Sequence, residues 1–152
     1  MKELLQIFTG AIGTLAISVI FNAHRKHLPF LTLGAALSWL VYIISAEFFT
    51  SQVAAYFIAS LVTALYAEIM ARIIRTPTTG ILIPSALPLV PGGALYYTMR
   101  FAISKSKESF TESALYTLSV AFAIAMGIIT VSTIVKLVFS IKKKVDIKKI
   151  YH

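Results

Sequence analysis

Residues 114–139 read ALYTLSVAFAIAMGIITVSTIVKLVF, an apolar run with a single charge, Lys136. A hydrocarbon core about 30 Å thick takes roughly 20 such residues as one helix, so this stretch predicts a transmembrane helix and, with it, a membrane fold. Lys136 is expected to snorkel toward the nearer interface. The rest of the chain agrees: of 152 residues, 58% are hydrophobic and only 13% charged, with a mean hydropathy of +0.84. A soluble domain carries about 25% charged residues, so this chain lacks the polar surface to face water on all sides.

Working back toward the N-terminus, four more runs of spanning length stand between charges or turn residues: 4–21, 28–46, 52–74 and 81–103. Lys2 ahead of the first run has the look of a secretory leader, but the run has the length of a span and is expected to stay as a helix. The expected architecture is all-α, a polytopic membrane helical bundle of about five transmembrane helices. Residues 1–141 form a single transmembrane domain and 142–152 a basic cytoplasmic tail. No Ser- or Gly-rich linker divides it.

The net charge of +8 does not point to a nucleic-acid partner, because the basic residues sit at the ends of apolar runs, where they set topology. With five alternating spans, Arg25 and Lys26, then Arg72 and Arg75, then Lys142, Lys143, Lys144, Lys148 and Lys149 fall on one side. By the positive-inside rule that side is cytoplasmic, giving an N-out, C-in protein of a prokaryotic plasma (inner) membrane. Lys2, Arg100, Lys105 and Lys107 fall on the other side, diluted by Glu3, Glu47, Glu108 and Glu112. Phe48, Phe49, Tyr56, Tyr96, Tyr97 and Phe110 would form much of the outer aromatic belt. Small residues at helical spacing, Gly10, Thr14 and Ser18 on the first span and Ser119, Ala123 and Gly127 on the fifth, predict faces that contact protein rather than lipid.

The fourth run differs from its neighbours. Pro84, Pro88 and Pro91, followed by Gly92 and Gly93, interrupt it, and a straight helix is not expected there. Broken backbone at membrane depth is tolerated where it is buried in protein or lines a watery cavity. In transporters the N-terminus of such a half-helix faces an anionic substrate group, its free amides and dipole favouring negative charge. Gly92 and Gly93 are expected to open such a half-helix, with Tyr96 lining the site; the competing reading is a structural kink without a ligand. Glu68, Arg72 and Arg75, spaced four and then three apart, predict one helical face. They suit an ion-pair gate, or proton coupling at Glu68, although arginines near a helix end also serve as simple anchors.

Absence of cysteine removes disulfides, thiolate metal sites and cysteine nucleophiles together. His24 and His27 flank Arg25 and Lys26 without the third ligand a metal site needs, and a solvated loop is expected there. Pro91-Gly92-Gly93 lacks the lysine and spacing of a phosphate-binding loop. No catalytic set, metal or cofactor is expected, and the chain reads as a non-enzyme.

The run Ile83-Pro84-x3-Pro88-Leu89-Val90-Pro91-Gly92-Gly93-x-Leu95-Tyr96-x2-Met99 resembles the signature of the threonine/serine exporter (ThrE) family, and most closely that of its small YjjB-like component. Phe21-Asn22 ahead of a basic loop, and the overall length and hydropathy, extend the likeness over most of the chain. Gly93 departs from the family pattern, which often has a bulkier residue there. The resemblance implies a secondary exporter whose other half is a YjjP-like membrane protein. Its implied substrates are threonine and serine or a dicarboxylate such as succinate, all small carboxylate-bearing metabolites. A homo-oligomer would also complete a path for which five spans are few. The alternative is a non-transporting membrane scaffold or accessory subunit.

Overall fold

The computed structural model describes the backbone at residues 2–104 and 107–150 and side chains at 3–104 and 107–141. Lys105 and the side chains of the lysine tail from Lys142 to Lys149 lie outside the described residues. Every described element is helical: α1 Lys2–Ile20, α2 Leu28–Phe48, α3 Gln52–Ile73, α4 Thr78–Ala86, a 3-10 turn Leu87–Leu89, α5 Gly92–Ile103 and α6 Lys107–Ile150. Helices α1, α2, α3 and α6 are each long and apolar enough to cross a bilayer. The pair formed by α4 with its 3-10 turn and α5 is bent by 59° and has the length and composition of one further span, broken or re-entrant. The protein is a helical membrane bundle with its fourth span broken.

Helix α3 is the centre of the bundle, packing most extensively on α6 and α2 and also on α4. Its sequence explains the position. Ala55, Ala59, Ser60, Thr63, Ala64, Ala67 and Ala71 are all buried, and small side chains let neighbouring backbones approach where lipid offers no hydrophobic drive for association. Bulkier residues fill the remaining gaps, with Leu31 and Ile81 closing on Ala67 and Ala71 at the base of the bundle.

The two rows of small residues behave differently. On α1, Thr14 and Ser18 are buried and Gly10 approaches Pro88. On α6, Gly127 is buried against Phe57 and Ser60 of α3, but Ser119 is exposed and Ala123 half-buried. The inward face of α6 runs instead through Thr117, Val120 and Gly127, a spacing of three and then seven that keeps to one side of a helix. Tyr56 packs within the bundle: its ring meets Tyr42 at 4.4 Å, tilted by 36°, and Tyr42 meets Trp39 at 4.8 Å.

Two helix ends show how the chain turns. Asn22 has φ 55°, and the amides of Asn22 and Ala23 donate to the carbonyls of Val19 and Ser18 at 3.0 and 2.9 Å, the paired bonds of a Schellman cap. Arg75 repeats the left-handed turn at the end of α3, with φ 53° and the Thr76 amide donating to the Ala71 carbonyl at 3.0 Å. Asparagine tolerates this conformation; a β-branched residue does not. Asn22→Val should therefore lower stability by about 1–2 kcal/mol, and Asn22→Gly should leave it unchanged, as read from the heating midpoint of the detergent-solubilised protein.

Candidate functional site

Three prolines build the break in the fourth span, each in a different way. Pro84 lies inside α4 without ending it. Pro88 falls in the 3-10 turn; lacking an N–H, it cannot bond to the Pro84 carbonyl, which takes the Leu87 amide instead. Pro91, at φ −75° and ψ 59°, has the geometry of an inverse γ-turn, closed by the Gly92 amide on the Val90 carbonyl at 2.7 Å. Helix α5 then starts at Gly92, with the Leu95 amide on the Pro91 carbonyl at 3.0 Å. The amides of Gly93 and Ala94 are left without a backbone partner, as the first turn of any helix leaves them.

Neither glycine at the break is required by the chain itself. Both have negative φ, and a Cβ on either would meet nothing within 4 Å. Both are exposed. Gly93 and Ala94 border an open cleft of about 580 Å³ between α5 and α6, with Tyr97, Glu112 and Tyr116 on its walls. Tyr96, expected to line the site, is 63% exposed and is not among the residues of this cleft. Its neighbour Tyr97 borders the cleft, the two rings meeting edge to face at 5.5 Å. On the other side of the break, the hydroxyls of Thr14 and Ser85 are buried with no hydrogen-bond partner, while Ser38 Oγ reaches the Ser85 carbonyl at 2.9 Å.

At the basic end, Glu68 is 5% exposed and its carboxylate accepts from Arg72 Nη1 at 2.8 Å. Arg72 also donates to the Glu68 carbonyl and lies over the Phe139 ring, 4.1 Å from its centroid. The pair therefore clasps α3 to the exit of α6. Arg75 does not join it, which corrects the expected single face. Pro77 disfavours helix at the residue before it, α3 stops at Ile73, and the left-handed turn at Arg75 takes that side chain off the helical register.

The histidines expected in a solvated loop line a cavity of about 450 Å³. It lies between the end of α1, the 22–27 loop, the start of α2 and the first turns of α4, with Thr76, Thr79 and Pro84 across from His24 and His27. No local sequence signal marks it, because its two walls are some fifty residues apart in the chain.

No curated protein and no solved structure matches the chain at a significant level. The model of one family, described as Threonine/Serine exporter, ThrE, matches residues 6–134, from the first helix into the second half of α6. With a span broken at Pro91-Gly92-Gly93 inside that match, the chain belongs to the threonine/serine exporter family, a family of transporters.

Proposed function

We propose that the chain is one half of a secondary exporter in the prokaryotic plasma (inner) membrane, moving a small carboxylate-bearing metabolite with a second membrane protein, YjjP-like or another copy of itself. The observation that carries this reading is the start of α5: two unpaired amides, two exposed glycines and an open cleft where the span breaks. In hydrocarbon, each unsatisfied backbone group costs several kcal/mol, so this surface calls for a cavity and a covering chain. Glycines that the fold does not need suit close approach by something outside the chain. With the basic end cytoplasmic by the positive-inside rule, Arg72 and Arg75 stand at the entrance and Glu68 is the candidate for proton coupling. Pro88, Pro91, Gly92 and Gly93 shape the site.

Glu112 bears on the substrate. It lines the cleft with Gly93 and Ala94, so an amino acid would meet open amides with its carboxylate and Glu112 with its ammonium. A dicarboxylate would bring a second negative charge toward the same acid. This favours threonine or serine over succinate.

The test is export of labelled threonine, serine and succinate from cells expressing the chain with and without a YjjP-like partner. Partner-dependent export of at least one is expected, and none for any of them would refute the transport reading. Gly92→Leu should leave insertion intact, since a Cβ there meets nothing within 4 Å. A leucine side chain beside the open Gly93 and Ala94 amides should hinder a carboxylate from reaching them; a hydrogen bond to a charged group contributes about 1.5–3 kcal/mol, so losing one should cut export about tenfold or more. Full activity would refute the half-helix site and favour the scaffold reading.

A further inference from the structure

The cavity at the basic end is built from chemistry that the break in the fourth span does not use. Its volume, about 450 Å³, falls in the range of small-molecule sites, and such sites are mostly apolar with a few convergent polar groups. Here those groups are the imidazoles of His24 and His27 and the hydroxyls of Thr76 and Thr79. The two rings are 5.9 Å apart between centroids, near enough for one small anion to meet both. They are also held in place: the Ala23 amide on the Ser18 carbonyl and the His27 amide on the His24 carbonyl, at 2.9 and 2.8 Å, fix the turn that carries them.

The charges around the cavity have one sign. Among the described residues its only titratable lining groups are the two histidines; α1, α2 and α4 contribute Ser18, Leu31, Ile83 and Pro84 to its wall, with Phe21 just past α1. Arg25 and Lys26 lie in the same loop, and Arg75 lies at the end of α3 beside Thr76. No carboxylate is among the described residues that line the cavity, so a metal cation would find two ligands and a repelling field, whereas an anion is attracted by the loop and by the end of α3.

We propose that this cavity is a carboxylate-binding vestibule in which His24 and His27 hold the anion, so that binding tightens as pH falls. The inference rests on the reading of the chain as an exporter of carboxylate metabolites, for which the cavity is the cytoplasmic entry. Imidazole gains its charge between about pH 8 and 5. Two imidazolium groups this close repel each other, and a carboxylate between them relieves that repulsion. Anion binding and proton uptake are therefore linked: each raises the affinity for the other.

The experiment uses the full chain in nanodiscs of phosphatidylcholine, titrated with succinate at pH 6 and pH 8. Succinate carries no ammonium and so isolates the carboxylate chemistry; succinamide is the uncharged control. Ring resonances of the unsubstituted protein should shift at His24 and His27 with succinate and not with succinamide. Affinity should be about tenfold or more higher at pH 6, as expected when a neutral partner becomes a charged one. His24→Gln with His27→Gln should remove that pH dependence, and Arg25→Gln with Lys26→Gln should weaken binding equally at both pH values. The proposal is overturned by ring signals that ignore succinate, or by a double glutamine variant with unchanged affinity and pH profile. It is equally overturned if the rings respond only when phosphatidylglycerol replaces part of the lipid, which would make a headgroup the occupant. Any of these results leaves the export assay free to succeed, and absent export with succinate-responsive histidines would remove the transport reading while keeping the site.

Discussion

Gly34→Val should prise α2 from the bundle and produce the largest loss of folded protein of any single substitution considered. A Cβ at Gly34 would lie 2.2 Å from Ser85 Oγ, 2.8 Å from Ser85 Cβ and 2.7 Å from Tyr66 Cε1. These belong to α4 and α3, so three helices meet where this glycine has no side chain. Rotating the serine hydroxyl relieves the first contact; the second needs the backbone of α4 to retreat. Overpacking in a filled core costs about 1–3 kcal/mol, and retreat of α4 would also stretch the Ser38 Oγ contact to the Ser85 carbonyl. Gly34→Ala should fall between the parent and valine, and Ser85→Gly should restore much of its loss, a coupling that residues in contact show and distant ones do not. Gly13→Ala is the control, since a Cβ there meets nothing within 4 Å. The measurement is the monodisperse fraction surviving a heating series in detergent. Equal behaviour of the Gly34 and Gly13 variants would show that the α2–α4 contact does not limit stability.

Arg72→Met should come second. It leaves Glu68, whose side chain is 6% exposed, without its ionic partner. Stripping one partner from a fully buried pair costs about 3–5 kcal/mol. The Arg72 side chain is 40% exposed, so solvent screening brings the expected loss down to about 1–3 kcal/mol. Glu68→Gln combined with Arg72→Met should recover most of it, because no charge is then left alone. Arg72→Lys separates the two contacts of the guanidinium: it keeps the charge for Glu68 and gives up the planar stacking on Phe139, a smaller loss of about 0.5–1 kcal/mol. If the single and double variants melt together, the pair is an exposed contact of no energetic consequence.

Hydropathy made the bundle legible because a bilayer demands the same thing of every span, and the apolar runs lie within two or three residues of α1, α2 and α3. The last helix shows what hydropathy does not report. The apolar run stops at Phe139, yet α6 continues to Ile150; apolarity marks where the membrane ends, whereas lysine is itself a good helix former. Glu68 and Arg72 could be paired from their spacing because one continuous helix holds both. Arg75 could not, since a proline two residues later ends that helix and its effect on register is tertiary in outcome.

Proline and glycine also located the break but not its orientation. That Tyr97 rather than Tyr96 faces the cleft depends on the helical phase at which α5 starts, and an inverse γ-turn at Pro91 sets that phase. The histidine cavity was beyond reach for a different reason. It exists only because α4 folds back beside the loop that follows α1, and nothing within either segment specifies the other.

The same break divides its span into halves of unequal local stability. Helix α4 is held by α2 and α3 and touches α1, whereas α5 packs extensively only on α6, and α5 has no buried residue. Detaching α5 breaks one substantial interface, and detaching α4 breaks two. Local opening free energy follows the contacts that must be given up, so the half beyond Pro91 opens more cheaply than the half before it. A covering partner would therefore bring order to the looser half of the broken span, and its arrival would register as slowed amide exchange from Gly92 onward.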